Sequence, residues 1–274
     1  MSVHNSNRLP SALAPSSLLS GELCARVAAT VIFLVAAGLT LYGARKMDGG
    51  MPMPGGWTMP MMWMVMPGEN VWKTAWMFLL MWQAMMVAMM LPSTWPMLAL
   101  YRRVAVFSGL AHASLGALVV AAGYFSAWLT FGAVAFGAGF GISSWAMHSE
   151  TVSNLVPAAA GLALVLAGIY QLTPLKQACL KHCREPVLYL SHEWRPGIGG
   201  AFQLGLHHGA FCAACCWALM VIQMILGVMN LGIMILIAAI IGTEKLWKRG
   251  PALARVVGVC TIAAGVALIL TSVA

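Results

Sequence analysis

The stretch HHGAFCAACCWALM, residues 207–220, places two adjacent imidazoles and three thiols inside a run, 196–243, that contains no Asp, Glu, Lys or Arg. Imidazole and thiolate are donors for soft and borderline cations, and thiolate suits Cu(I). On a helix, His208, Cys212 and Cys216 fall at i, i+4 and i+8, with Cys215 on the adjacent edge. His207 points about 100° away from His208, toward a different neighbour. Any one of these residues alone is ordinarily a hydrogen-bonded core histidine or a small buried thiol. Five within ten positions, including a Cys–Cys dipeptide, point to a metal or redox role.

Three other segments concentrate soft donors. CLKHCREP, 179–186, puts Cys179, His182 and Cys183 at i, i+3 and i+4, one face if helical, with Lys181 and Arg184 placed to favour thiolate. The spacing differs from the Cys-x-x-Cys-His of haem c attachment. A basic interfacial helix explains the same residues equally well. Further upstream, Met77, Met81, Met85 and Met89 recur every four residues, so they share a slowly drifting face of one helix. Such stripes are usually packing, but this one begins just below a loop, 47–70, that carries eight methionines among prolines and glycines. Alternating Met and Pro predicts an extended chain with thioethers projecting into solvent. Thioether suits Cu(I) and needs no deprotonation. An adaptable loop dipping into lipid, with Trp57 and Trp63 at the headgroups, is the equal alternative.

The elements that carry these donors are set by composition. The chain has 274 residues, 61% of them hydrophobic and only 8% charged, with a mean hydropathy of +0.86. A soluble chain of this length needs far more charge to cover its surface. The fold class is all-α, a polytopic helical membrane protein of about seven transmembrane helices. They are predicted near 26–44, 73–100, 115–142, 155–174, 201–226, 230–246 and 253–273, preceded by a cytoplasmic tail over 1–25. Residues 26–274 read as one membrane domain, with 47–70 as its external loop. The uncharged region 104–149 is read as one span flanked by interfacial helix, although it is long enough for two. Pro92 and Pro96 are expected to kink or end the second helix.

With the N-terminus inside, Arg45, Lys46 and Lys73 are the only basic residues outside, against twelve inside. The net charge of +8 therefore reads as membrane orientation, not as nucleic-acid binding. All seven cysteines then fall in the cytoplasmic half or near mid-membrane. Thiols on the reducing side do not read as structural disulfides. No phosphate loop or pump signature is present. The absence of acidic clusters disfavours hard cations. Glu244 and Lys245 read as an ordinary ion pair or headgroup anchor at a helix end.

The blocks WQAMMVAMMLPSTWPM, YQLTPLKQACLKHCREP, GLHHGAFCAACCWALM and GVMNL, with EK following, resemble an uncharacterised bacterial family of predicted metal-binding integral membrane proteins. The resemblance covers about 76–248 and implies an inner-membrane location. It also implies metal binding centred on Cys179, His182, Cys183, His208, Cys212, Cys215 and Cys216. Members often carry a single His before the Gly of the third block and a Gly before the Cys pair. The extra imidazole of His207 and Ala214 depart from that pattern.

Together these features predict Cu(I) binding, transfer or transport. The metal ligands are drawn from His207, His208, Cys212, Cys215, Cys216, Cys179, His182, Cys183, Met81, Met85 and Met89. The expected surroundings are the lipid bilayer and a metallochaperone or the subunits of a membrane complex. The protein is expected not to be an enzyme. Its rivals are an accessory scaffold subunit and a haem or thiol redox membrane protein.

Overall fold

The structure is a computed structural model that describes residues 15–47, 49–65, 68–110 and 112–273. Residues 1–14 of the expected tail and Met66 of the loop lie outside the described residues. Among the described residues there are nine α-helices and one small hairpin. They are α1 (Pro15–Lys46), β1 (Gly50–Pro52), β2 (Thr58–Pro60), α2 (Val71–Phe107), α3 (Ala113–His148), α4 (Glu150–Leu172), α5 (Pro174–Arg184), α6 (Pro186–Glu193), α7 (Gly197–Gly227), α8 (Leu231–Leu246) and α9 (Gly250–Val273).

The all-α polytopic expectation holds, and each of the seven expected helices is present, as α1 to α4 and α7 to α9. Among the described residues, six of them are long and apolar enough to cross a membrane. The remaining one, α8, has 16 residues, about 24 Å at helical rise and short of the roughly 30 Å hydrocarbon core. The uncharged region is a single 36-residue helix, α3. Its small and apolar residues supply no turn signal that would divide it. Helix α2 runs through Pro92 and Pro96 to Phe107 instead of ending there. The two prolines leave the carbonyls of Ala88 and Pro92 without their helical donors.

Local chemistry sets the helix starts. The Asn70 side chain accepts from the amides of Trp72 and Lys73 and caps α2. Ser149 caps α4, Asn230 caps α8, and Thr173 caps α5 ahead of a proline in its first turn. Each cap satisfies an amide that the helix itself cannot.

Packing follows the small residues. Helix α3 lies along α7, where a Cβ on Gly205 would collide with the Val120 carbonyl and one on Gly123 with the Phe202 carbonyl. Gly161 and Gly168 of α4 meet Gly265 and Gly258 of α9 in the same way. Between helices in lipid, such close backbone approach supplies the association that hydrophobicity cannot. Gly205→Leu is therefore expected to force α3 off α7 and to destabilise the fold by about 1–3 kcal/mol or more. A detergent-solubilised variant that unfolds at the parent's temperature would contradict this packing.

The methionine loop is only partly as expected. Its first half is extended, as an antiparallel hairpin pairing Met51 with Met59. Gly55 and Gly56 turn it with positive φ. The thioethers do not all project into solvent: Met53, Met59 and Met62 are buried, while Met51 and Met61 are exposed. Trp57 donates to the Ser153 carbonyl on α4 at 3.0 Å. Trp63 is buried against Phe78. Neither indole is free to serve as a headgroup anchor, because the hairpin folds down onto the ends of α3 and α4.

Candidate metal centre

Helix α5 and helix α7 bring the two cysteine motifs together. The Cys183, Cys212 and Cys215 sulfurs all lie within 4.8 Å of one another, with Cys183 and Cys215 at 3.9 Å. Three thiolates around one metal, with metal–sulfur bonds of about 2.3 Å, have sulfurs about 4 Å apart. Cys216 sits 3.2 Å from Cys215, sulfur to sulfur. All seven cysteines are free. Cys212, Cys215 and Cys216 are buried, and Cys183 is half-buried.

A polar shell surrounds these thiols, and none of it was assigned to the site from sequence. The Lys245 ammonium lies 2.9 Å from the Cys212 sulfur and 3.3 Å from the Ser93 hydroxyl. The Tyr124 hydroxyl meets Cys212 at 2.9 Å. On the other side, Lys176 donates to the Cys215 carbonyl at 2.6 Å and to Glu244 at 2.7 Å. Lys176 and Glu244 are fully buried. Glu244 and Lys245 are thus interior groups, which corrects their reading as a headgroup anchor. Burial works against the Lys176 ammonium, but Cys216, Glu244 and Cys215 outweigh it and hold its pKa above the ordinary lysine range. The signal for both lysines was present in the sequence, since each sits in a block that carries the family resemblance, PLK and EK. A lysine among greasy residues reads by default as an end-of-helix anchor.

The expected ligands divide. Cys183, Cys212, Cys215 and Cys216 converge. Cys179 is buried one turn from Cys183, outside the three-thiol group. His182 is exposed and stacks on Phe211 at 4.2 Å. His207 is exposed, 3.7 Å from Glu193. This follows from the 100° offset that turns it away from its neighbour. His208 is buried, near Tyr124 and Tyr189, and its Nδ1 has no hydrogen-bond partner. Lys181, expected to favour thiolate, is exposed. In its place Lys176 and Lys245 supply the positive charge.

Met85, Met86, Met89 and Met90 of α2 lie in the same buried core as the thiols. Met85 accepts from Gln223 at 3.2 Å, and Met89 is buried. Met81, half-buried, packs on Gly43 of α1. The methionine that reaches the site is Met90, whose sulfur is 4.0 Å from the Lys245 ammonium.

Beside the cluster lies a cavity of about 160 Å³, lined by Ser93, Thr94, Met97, Cys183, His208 and Lys245 among others. The buried Thr94 hydroxyl and His208 Nδ1 that border it both lack partners. Buried polar groups are seldom left unsatisfied unless water or a ligand meets them.

A helical membrane bundle that buries several thiols beside two ammonium groups carries a donor set compatible with a metal ion. Residues 79–268 match the family model described as PpoB2, copper chaperone, and the chain belongs to that family. No curated protein and no solved structure matches the chain.

Proposed function

We propose that this protein is a membrane-embedded Cu(I) chaperone, which holds the ion at the thiol cluster and passes it on by ligand exchange. The observation that carries this reading is the convergence of Cys183, Cys212 and Cys215 within 4.8 Å in a buried site. Cu(I) prefers few soft ligands, and thiolates satisfy it at short range. Charge agrees. The buried groups Lys176, Lys245 and Glu244 sum to one positive charge, and a Cu(I) ion with two thiolates, the third sulfur staying a neutral thiol, carries one negative charge. The loaded site is neutral overall, as a low-dielectric interior requires.

The surrounding roles follow. His208 and the thioethers of Met81, Met85 and Met89 stand ready beside the cavity and along the core, while Cys179, His182 and His207 act as outlying donors. The positive-inside bias orients the chain in a bacterial inner membrane with the tail over 1–25 in the cytoplasm and 26–274 as one membrane domain. The thiol cluster then faces the reducing compartment, where thiolates stay reduced. A metallochaperone or a subunit of a membrane complex receives the ion there. The protein performs no chemistry on the metal.

Anaerobically purified protein is expected to carry copper, and Cys183→Ser with Cys212→Ser is expected to reduce that content to background while the helical circular dichroism is kept. Unchanged copper in the folded double variant would overturn the thiol site.

A further inference from the structure

A second pocket lies at the opposite end of α2 from the thiols, where the hairpin meets the bundle. Its cavity is about 290 Å³. Four separated segments supply its methionines: Met47 follows α1, Met61, Met62 and Met64 come from the loop after β2, Met77 and Met81 from α2, and Met229 from the turn between α7 and α8. The other lining residues are Lys46, Glu69, Lys73, Thr74 and Phe78.

The choice of residues is unusual. Seven of the twelve lining residues are methionine and none is Leu, Ile, Val or Ala, in a chain where Met accounts for 21 of 274 positions. A pocket selected only for greasiness would draw on the aliphatic side chains that dominate the rest of the bundle. Helical periodicity does not explain the set either, because only Met77 and Met81 share a helix. Tertiary folding gathered thioethers from four places. The rim is ionic, with Lys73 paired to Glu69 at 2.6 Å. That places the mouth at the water boundary and not in hydrocarbon.

We propose that this pocket is a second, thiol-free Cu(I) site, where the ion is taken up by thioethers before it reaches the cysteines. The inference rests on the Cu(I) reading above but on none of its thiols. Thioether is neutral and coordinates without losing a proton, so loading here needs no base and leaves no redox-sensitive thiol exposed. The cation binds as one positive charge among neutral sulfurs. At the far end thiolates and an anionic balance await it, so the ion moves from weaker to stronger donors. No energy source beyond that difference is required. Met81 lines the pocket and Met90 touches the Lys245 shell of the thiols. They are about 13 Å apart along α2, with the buried sulfurs of Met85, Met86 and Met89 between.

Ag(I), a redox-inert soft monovalent ion, is the probe. Wild-type protein in detergent is expected to bind two equivalents. Met61→Leu, Met62→Leu, Met77→Leu and Met81→Leu combined should lose the more weakly held one and keep the other. Leucine conserves volume, so the bundle should stay folded. In the converse variant, Cys183→Ser, Cys212→Ser and Cys215→Ser combined, the retained Ag(I) should show only sulfur neighbours by X-ray absorption. Equal Ag(I) binding by the four-leucine variant and wild type overturns the thioether site. So does a three-serine variant that folds and binds none. Failure of the thiol reading alone gives a different pattern: the three-serine variant matches wild type while the leucine variant falls.

Discussion

Lys245→Met is expected to weaken Cu(I) binding roughly 10- to 100-fold, the range seen when the partner of a metal ligand is removed. The Lys245 ammonium is within 2.9 Å of the Cys212 sulfur and 3.3 Å of the Ser93 hydroxyl. Methionine fills nearly the same space, so the helices need not move. What disappears is the positive charge that balances a two-thiolate Cu(I) complex. Without it the loaded site carries a net negative charge in a low-dielectric interior, where unbalanced charge is costly. Competition titration against a Cu(I) chelator measures the loss. Lys245→Arg, which keeps the charge, should recover part of the affinity. Equal affinities for wild type and Lys245→Met would show that the ammonium plays no part in holding copper.

Breaking the neighbouring ion pair should have a different signature, a loss of stability. Lys176 and Glu244 are 2.7 Å apart with side chains 0% and 1% exposed. Glu244→Ala strands the Lys176 ammonium in the core and is expected to cost about 3–5 kcal/mol. Replacing both partners, as Lys176→Met with Glu244→Leu, should restore most of that loss, because two apolar groups carry no unpaired charge. Thermal unfolding of the two variants in the same detergent distinguishes the cases. If the double variant is no more stable than Glu244→Ala, the pair is not what the single substitution breaks. The pair also ties the first turn of α5 to the last turn of α8, and through the Cys215 carbonyl to α7. It therefore sets where Cys183 meets Cys215.

The fold was largely legible because bilayer-length apolar runs leave few choices for the backbone. The seven helices and the polar turn at Asn230 could be read directly. The uncharged 104–149 region was ambiguous because helix length alone does not distinguish one long helix from two short ones. At the site, Cys212, Cys215 and Cys216 were legible as a cluster because i, i+3 and i+4 spacing holds on any helix. That Cys183 joins them, while His182 in the next position stacks on Phe211 outside, depends on how α5 lies across α7. The parity of a short helix does not reveal that. His207 and His208 differ by one position and end up on opposite sides of a surface because the 100° offset between adjacent helical residues, legible in the sequence, turns them apart.

Composition and periodicity alone determined that this chain is a membrane-spanning helical bundle rich in soft donors, since hydropathy and helical spacing are local properties of a sequence. Tertiary structure alone decided which donors meet. It drew Lys176 and Glu244 inward, set Lys245 against Cys212, and gathered methionines from four segments into one pocket. Lys176 and Glu244 are 68 positions apart in the chain, and the pocket brings Met47 together with Met229. The formation of these contacts depends on the close approach of α3 and α7 at glycine and on the crossing of α5, neither of which any one segment encodes.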